Sequence, residues 1–500
     1  MIQPHPISRR NLLSVAPSAA MQIARNSPAP SGRHKNVLFL MSDQHKPRAL
    51  SIDADPVAQT PRLDAFARTG LRFQHAYCTD PICGPSRASI WTGLYTHNHG
   101  IYQNEIPWPF GLKSIADSFH RAGYITGAIG KMHFADANAH GFEYRLDFND
   151  WYQYLGPKAK IFASEVGRPF PGDGHPQIAS LWRSSGDPWS GQYEKDGRKG
   201  MTHVGHVSQL AEEHHFESFV AREAIQFLRR CNRDQPFFLV SSFLKPHQPF
   251  MPAERFARMF RAEDMRVPRS FGTVDLDTVP RHIRKRIQEN PLTPELKDPN
   301  YAKQRIAFYH ACLTQMDDCV GQVLDGLREL GLEKDTIVVY ASDHGELLGE
   351  HGLWQKFVFY ESSIGVPLMF RVPGMTAGGA TCDTIVSLAQ VAPTLAELCD
   401  VPSLGRYDAP SLIPQLRNPG AASDQPIFAE FDLNTPHPKF MIRRGDWKFC
   451  HYVDDMPELY NVRTDSDEMH NLALNSNYST RVAQMKSELF GWLGPAAPMR

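Results

Sequence analysis

Residues 36–44 read Asn-Val-Leu-Phe-Leu-Met-Ser-Asp-Gln, a run of apolar side chains that ends abruptly in polar ones. A short, continuous apolar run of this kind is typical of a strand that is buried on both faces of a sheet. Three further apolar runs, which begin at Tyr124, Phe237 and Thr336, have the same form, and each leads directly into a polar segment. We therefore predict four strands that all lie in the interior of one sheet.

Helical patterns lie between these runs. Thr60-Pro61 is a capping residue followed by proline at the first helical position, and residues 114–121 end before Gly123, a typical C-terminal cap. A long amphipathic stretch covers residues 301–330. Strands that alternate with helices predict an α/β fold, with a large and mostly parallel sheet flanked by helices.

The composition excludes several classes of protein. The chain has 500 residues, of which 42% are hydrophobic and 21% charged, as in ordinary globular proteins. A formal net charge of −1 gives no reason to expect nucleic acid as a partner. No apolar run approaches the roughly 20 residues that a membrane span needs. The eight cysteines contain no C-x-x-C pair, so neither a zinc site nor a disulfide scaffold is expected.

The polar segments after the four apolar runs are candidates for a functional site. In open parallel sheets, ligands bind beyond the carboxyl ends of the strands. These segments should therefore lie along one edge of the predicted sheet. Together they contribute Asp43, Lys131, His133, His247, Asp343 and His344.

The most specific motif is Cys-Gly-Pro-Ser-Arg at residues 83–87, which is followed by Thr92-Gly93. It resembles the signature of the type I sulfatases, a family of the alkaline phosphatase superfamily in which this cysteine is oxidised to formylglycine. The resemblance implies an alkaline-phosphatase-like fold. The alternative is a buried cysteine in a Pro-Ser turn.

The resemblance extends over most of the chain, because further segments follow in the order and spacing of the family. The pattern of Asp-Gln, Gly-Lys-Met-His-Phe and Asp-His is similar to that of choline-sulfatase-like members. The matching segments are residues 43–44, 130–134, 245–249, 342–346 and 349–352, together with Lys356 and Glu361.

The resemblance implies a divalent metal held by Asp43, Gln44, Asp343 and His344, with the side chain of residue 83 as a further ligand. A sulfate ester is an anion, and a hard cation with oxygen ligands neutralises its charge. The family implies Ca²⁺, while the single imidazole keeps Mn²⁺ and Mg²⁺ as alternatives. The competing interpretation of Asp43 and Asp343 is that they cap the helices or loops that follow.

The resemblance also suggests catalytic roles. Lys131 and Lys356 would bind the sulfate oxygens, where negative charge spreads in the transition state. His247 would protonate the leaving oxygen, a role that Lys356 could share, and His133 would act as the base. Arg87 would orient the formylglycine and balance the carboxylates. The alternative interpretation is that Lys131 is an ordinary surface lysine, and that His133 and His247 are core histidines with satisfied hydrogen bonds.

Formylglycine explains how such an enzyme could turn over. The hydrated aldehyde has two geminal hydroxyls: one attacks sulfur, and collapse of the other expels sulfate, so that water never attacks sulfur. Maturation implies a formylglycine-generating enzyme as a partner. The substrate is then a small-molecule or sugar sulfate ester, with aryl, sugar and choline esters as alternatives.

Two other functions compete with sulfate ester hydrolysis. A phosphonate monoester or phosphodiester hydrolase would share the formylglycine and the metal ligands, but the Lys131–His133 pair favours a terminal sulfate. A binding protein without catalytic activity is the second alternative, and the complete set of catalytic residue types argues against it.

We assign residues 35–400 to the catalytic domain and residues 401–500 to a smaller α+β domain, because the sequence pattern changes after Asp400. A turn is predicted around Gly445, and a helix at residues 479–493. Short strands are predicted at residues 426–431, 440–444, 447–452 and 458–462.

Residues 151–205 are rich in Gly, Pro, Trp and Tyr and show no clear period, so we expect a long loop over the site. Its aromatic residues could line a pocket for a sugar or a quaternary ammonium group. Loop anchoring and core packing are the alternative. The residues concerned are Trp151, Tyr152, Tyr154, Trp182 and Trp189.

The N-terminal segment, residues 1–34, contains Ser-Arg-Arg-Asn-Leu-Leu at residues 8–13. This resembles a twin-arginine export signal, with a weakly apolar region at residues 12–24. A signal would place the protein in the periplasm or outside the cell. The alternative is a disordered tail on a cytoplasmic protein.

Overall fold

The computed structural model describes residues 35–53, 55–136, 138–166, 204–289 and 297–494. The strands of the main sheet are β1 (Asn36–Asp43), β2 (Leu71–Tyr77), β3 (Ile125–Gly130), β4 (Tyr144–Leu146), β5 (Phe237–Pro246), β6 (Thr336–Ser342), β7 (Gly365–Arg371) and β8 (Ala380–Ser387). Their order in the sheet is β4-β3-β5-β1-β6-β7-β2-β8. β7 runs antiparallel to both of its neighbours, and all other neighbouring pairs are parallel.

The four predicted strands are confirmed as β1, β3, β5 and β6, and they are direct neighbours in the order β3-β5-β1-β6. Because they are parallel, their carboxyl ends meet at one edge of the sheet. The polar segments that follow them are brought together there.

The described residues form a series of α-helices, and most of these helices flank this sheet. They are α1 (Pro61–Ala67), α2 (Cys83–Thr92), α3 (Thr96–His99), α4 (Ile115–Arg121), α5 (Phe148–Leu155), α6 (Ala159–Glu165), α7 (Phe216–Arg230), α8 (Glu254–Ala257), α9 (Arg281–Glu289), α10 (Pro299–Glu329), α11 (Glu361–Ile364), α12 (Val391–Leu398), α13 (Ile413–Arg417) and α14 (Ser479–Leu493).

Two hydrophobic cores lie on opposite faces of the main sheet. Side chains of a strand alternate between faces, so Leu38 and Leu40 of β1 belong to one core and Val37, Phe39 and Met41 to the other. Residues of α7 and α10 pack into the first core, and residues of α2, α4 and α12 into the second. This double covering explains the continuous apolar run of β1.

A second, smaller sheet lies in the C-terminal part. Its strands are β9 (Ile427–Phe431), β10 (Lys439–Arg444), β11 (Trp447–Tyr452) and β12 (Glu458–Asn461), all antiparallel and in the order β12-β11-β10-β9. One face packs with α14 and the other with the second core of the main sheet. The predicted α+β character is confirmed, while the boundary at residue 400 stays a prediction.

The expected long loop at residues 151–205 is wrong at its start. Residues 151–155 belong to α5, whose first turn is held by a capping box of Asp147 and Asp150, and α6 follows. Trp151 and Tyr152 are buried and pack against Phe162. These aromatic side chains therefore belong to the hydrophobic core rather than to a ligand pocket. Residues 167–203 of the expected loop, with Trp182 and Trp189, lie outside the described residues, as does the N-terminal segment 1–34.

Among the described helices, none combines the length and the apolar character that crossing a membrane would require.

The carboxyl end of β3 passes very close to β5. A Cβ atom on Gly130, whose φ is +103°, would collide with the carbonyl oxygen of Ser242. The same carbonyl accepts a hydrogen bond from the backbone nitrogen of Lys131 (2.9 Å). Glycine at this position therefore allows β3 to deliver Lys131 to the edge of the sheet.

This close approach predicts a difference between two glycines. Gly123→Ala introduces a side chain at φ +89° in open space, and should cost only the backbone strain of about 1–2 kcal/mol. Gly130→Ala adds a collision, and should lower the free energy of unfolding by a further 1–3 kcal/mol or so. Urea denaturation of both variants measures the difference, and equal losses would contradict the account.

Candidate active site

Cys83 is the first residue of α2, and its thiol points into the edge of the sheet. The backbone nitrogen of Gly84 donates to Oδ1 of Asn104 (2.8 Å), and the hydroxyl of Ser86 donates to the carbonyl of Asp343 (2.5 Å). These contacts fix the start of the helix. Burial raises the pKa of the Cys83 thiol, but the positive charges of Lys131, Lys356 and His344 outweigh it and hold this pKa well below its usual range.

Two buried carboxylates lie next to Cys83, and one guanidinium bridges them. Nε of Arg87 is 2.7 Å from Oδ2 of Asp343, and Nη2 is 3.1 Å from Oδ2 of Asp43. Arg87 is only 1% exposed and both carboxylates are fully buried. Burial and the Cys83 thiolate raise the pKa of Asp43, but Lys131, His247 and Arg87 together bring it below its ordinary value.

His344 presents one ring nitrogen to the same space. Its Nδ1 lies 3.0 Å from the carbonyl oxygen of Gly345, which makes Nδ1 the protonated nitrogen. Nε2 then faces Sγ of Cys83 (3.2 Å), Oδ1 of Asp43 (3.6 Å) and Oδ1 of Asp343 (3.7 Å).

The side chain of Gln44 is oriented by its amide nitrogen. Nε2 donates to Oε1 of Gln248 (2.7 Å) and to Oε2 of Glu346 (2.5 Å). Oε1 of Gln44 is therefore turned inward, where it accepts a hydrogen bond from Nζ of Lys356 (2.7 Å). Because the amide has only one oxygen, this orientation is what makes Gln44 a candidate ligand.

The chemistry of this cluster fits a divalent cation. Ligand atoms of Asp43, Cys83, Asp343 and His344 all lie within 4.8 Å of one another, and all four residues are buried. Oxygen donors with one imidazole suit Ca²⁺, Mg²⁺ or Mn²⁺. The buried carboxylates also carry negative charge that a cation would offset.

Two lysines flank the thiol. Nζ of Lys131 lies 3.7 Å and Nζ of Lys356 3.6 Å from Sγ of Cys83. Nζ of Lys131 also pairs with Oδ2 of Asp43 (2.5 Å). Both lysines are buried, so the site concentrates positive charge around the atom at position 83.

Two histidines enter the site from different segments. Nδ1 of His247 lies 2.7 Å from the carbonyl oxygen of Gln248, which leaves Nε2 facing Nζ of Lys356 at 3.0 Å. His133, which has a φ of +61°, hydrogen-bonds to Cys83. Burial lowers the pKa of His133, so the neutral ring that can accept a proton is favoured.

The structure brings together every residue that the sequence predicted for the site. These are Asp43, Gln44, Cys83, Arg87, Lys131, His133, His247, Asp343, His344 and Lys356.

Two positioning residues, Gln248 and Glu346, had no role assigned from the sequence. Both orient Gln44, and both lie inside segments that match the family. Asn104, which the sequence suggests as a further residue near the site, accepts a hydrogen bond from the backbone of Gly84. Sequence separation hides such contacts, since Gln44 and Gln248 follow different strands.

Comparisons with known proteins agree with this geometry. A family model described as Sulfatase matches residues 35–401, and one described as N-sulphoglucosamine sulphohydrolase, C-terminal, matches residues 349–492. A choline-sulfatase of Rhizobium meliloti is 29% identical, over 88% of this chain and 82% of its own. An arylsulfatase of Clostridium perfringens is 27% identical, over 91% of this chain and 93% of its own.

Solved structures show the same fold. The phosphonate monoester hydrolase of Agrobacterium radiobacter superposes with a TM-score of 0.76, over 93% of this chain and 96% of its own, at 22% identity. The chain therefore shares its overall fold with this hydrolase.

The buried carboxylates predict a cation-dependent stability. A divalent cation that binds only the folded protein stabilises it by about 2.7 kcal/mol at a concentration of 100 Kd. We expect Ca²⁺, Mg²⁺ or Mn²⁺ to raise the Tm of the purified chain, and Asp343→Asn to abolish this increase. Glu488→Gln is the control that should keep it, because Glu488 lies in α14 and pairs with Arg444 instead of with the site. An unchanged increase in Asp343→Asn would contradict the assignment.

Proposed function

The chain belongs to the sulfatase family, and we propose that it hydrolyses a sulfate monoester to an alcohol and inorganic sulfate at Cys83. One observation carries the proposal. Sγ of the signature cysteine lies 3.7 Å and 3.6 Å from two lysine Nζ atoms, and 3.2 Å from an imidazole of the candidate metal cluster. A nucleophile, anion-binding cations and metal ligands therefore share one buried space.

We propose Ca²⁺ as the metal, with Mn²⁺ and Mg²⁺ as alternatives, held by Asp43, Gln44, Asp343, His344 and the side chain of residue 83. When bound, the metal supplies positive charge that offsets the charge of sulfate and orients one of its oxygens. The inward Oε1 of Gln44 and the inward Nε2 of His344 support this ligand set.

Cys83 is proposed to be converted to formylglycine by a formylglycine-generating enzyme. The thiol in this structure stands in for the oxygens of that side chain. As its hydrate, formylglycine would supply one hydroxyl as the nucleophile. Collapse of the second hydroxyl to the aldehyde would then expel sulfate.

Lys131 and Lys356 are proposed to bind the sulfate oxygens. Their ammonium groups reach the atom at position 83 from β3 and from the segment before α11. Any group transferred to that atom lies between two buried cations. Because the site is buried, this attraction is stronger than it would be in water.

Proton transfers are assigned to His247 and His133. Nε2 of His247 and Nζ of Lys356 lie 3.0 Å apart and can share one proton, which they deliver to the leaving alcohol oxygen. His133, favoured as the neutral ring, accepts the proton of the second hydroxyl at position 83. Arg87 forms an ion pair with each of the two carboxylates and fixes them in place.

A phosphonate monoester hydrolase is the second candidate, because a protein with that activity has the same fold. The two buried lysines favour a sulfate monoester. Such an ester presents three non-bridging oxygens, enough for both lysines and a metal. A phosphonate monoester presents only two, one fewer than both lysines and a metal could bind.

We also propose that residues 1–34 direct export through the twin-arginine route. Support comes from the Ser-Arg-Arg-Asn-Leu-Leu stretch at residues 8–13 alone. Fractionation of cells that express the full chain tests this location, and a full-length chain found only in the cytoplasm would contradict it.

The reaction itself is tested with matched esters. After co-expression with the formylglycine-generating enzyme, the intact mass should show the thiol of Cys83 replaced by an aldehyde. The protein should then hydrolyse 4-nitrophenyl sulfate with a higher kcat/KM than a phosphonate monoester of the same phenol, and Cys83→Ala should hydrolyse neither. Faster turnover of the phosphonate would reverse the assignment, and an unmodified, inactive protein would refute both.

The role of His247 predicts a dependence on the leaving group. General acid catalysis contributes about 10²–10⁴-fold, and it matters most when the alcohol is a poor leaving group. His247→Ala should therefore lose far more kcat on an alkyl sulfate than on 4-nitrophenyl sulfate. A plot of log kcat against the pKa of the alcohol measures this, and parallel lines for both proteins would assign the acid elsewhere.

A further inference from the structure

Lys356 lies in an irregular segment with an unfavourable backbone. The residues on either side of it, Gln355 and Phe357, have φ values of +70° and +80°. Non-glycine residues avoid this region because the Cβ atom crowds the backbone. Such a conformation persists only where surrounding contacts impose it, so something must hold the segment that carries Lys356.

Two sets of contacts hold this segment. At its start, the backbone nitrogen of Gln355 donates to Oε1 of Glu346 (2.7 Å), and its carbonyl oxygen accepts from the backbone nitrogen of Leu347 (2.8 Å).

At the end of this segment, the contacts come from the small C-terminal sheet. Nζ of Lys448, in β11, donates to the carbonyl oxygen of Phe359 (2.7 Å) and to Oε1 of Glu361 (3.0 Å). The side chain of Lys448 is fully buried. The same ammonium group also pairs with the carboxylate of Glu468, so residues 359–361 and Glu468 are its partners among the described residues.

Glu361 joins the C-terminal sheet to the strand that leads to the nucleophile. Its Oε2 accepts hydrogen bonds from Nη1 of Arg443 in β10 (2.7 Å) and from the hydroxyl of Tyr77 (2.6 Å). Tyr77 is the last residue of β2, after which the chain continues to Cys83. One carboxylate thus connects the segment of Lys356, the approach to Cys83 and the small sheet.

Tyr360 makes a separate contact with the same sheet. Its hydroxyl donates to Oε1 of Glu458 in β12 (3.1 Å). Glu458 also accepts from the hydroxyls of Tyr452 (2.5 Å) and Tyr460 (2.8 Å), so its position is fixed. Three consecutive residues, 359 to 361, are therefore bound by three different strands of the C-terminal sheet.

We propose that the C-terminal sheet is part of the active site, because Arg443, Lys448 and Glu458 position Lys356 through residues 359–361. These are positioning residues, since none touches the reacting atoms. The inference rests on the proposed role of Lys356 in binding sulfate. It assigns to the small sheet a task in the reaction, the placement of one catalytic cation.

Two neighbouring arginines provide a matched test. Arg443 and Arg444 are adjacent in β10 and face opposite sides, and Nε of Arg444 pairs with Glu488 of α14 (2.8 Å) instead. A catalytic group misplaced by 1 Å can cost about 100-fold in rate. We expect Arg443→Gln to lower kcat/KM for 4-nitrophenyl sulfate by up to that factor, Arg443→Lys to recover part of it, and Arg444→Gln to leave it unchanged.

A double-mutant cycle separates positioning from general damage. In the Lys356→Ala background, Arg443→Gln should change kcat/KM by less than about twofold, because the group it positions has been removed. Affinity for inorganic sulfate, measured by calorimetry, should show the same lack of additivity. Additive losses in both measurements would overturn the proposal.

Measuring the affinity for sulfate allows the positioning role to be tested independently of whether the protein hydrolyses a sulfate ester. If the parent protein binds sulfate but hydrolyses no sulfate ester, the proposed function fails while the binding cycle still decides the positioning. If Arg443→Gln does not fold, Tyr360→Phe removes one contact of the same segment and enters the same cycle. A Tyr360→Phe protein with unchanged sulfate affinity and kcat/KM would count against the proposal.

Discussion

The guanidinium of Arg87 between Asp43 and Asp343 is the interaction on which the rest of the site depends. Two buried carboxylates repel each other and lose hydration, and neighbouring positive charge offsets both costs. Arg87 supplies that charge from inside, while Lys131 supplies it from the side of the nucleophile. The result is a cluster of fixed charges that can hold a cation and an anion next to each other.

Sheet topology converts distant sequence segments into this cluster. The neighbouring strands β3, β5, β1 and β6 are parallel, and each ends where its polar segment begins. Their buried apolar runs fix the strands in register, and the close approach of Gly130 to β5 sets the position of Lys131. The packing of the core therefore also determines where the charged side chains lie at the edge of the sheet.

The sequence was sufficient for four of the eight strands of the main sheet, for the fold class and for naming the candidate site residues. Continuous apolar runs identify β1, β3, β5 and β6, and the motif at residues 83–87 identifies the family. The sequence was insufficient where contacts between distant segments determine the local structure. The segment that forms α5 was predicted as a loop because its aromatic residues pack against partners from other segments, such as Phe162 and Phe216. The orientation of Gln44 depends likewise on Gln248 and Glu346, which no local pattern connects to it.

The proposed role of the C-terminal sheet likewise depends on contacts between residues that are far apart in the sequence. Glu361 was recognised as part of a family segment, but its partners Arg443 and Lys448 are far away in the chain. A crystal structure of the mature protein with sulfate bound tests the central claim most directly. The account predicts an oxidised side chain at residue 83 and a sulfate ion whose oxygens contact Nζ of both Lys131 and Lys356. A thiol at residue 83, or a sulfate ion bound away from the two lysines, would contradict it.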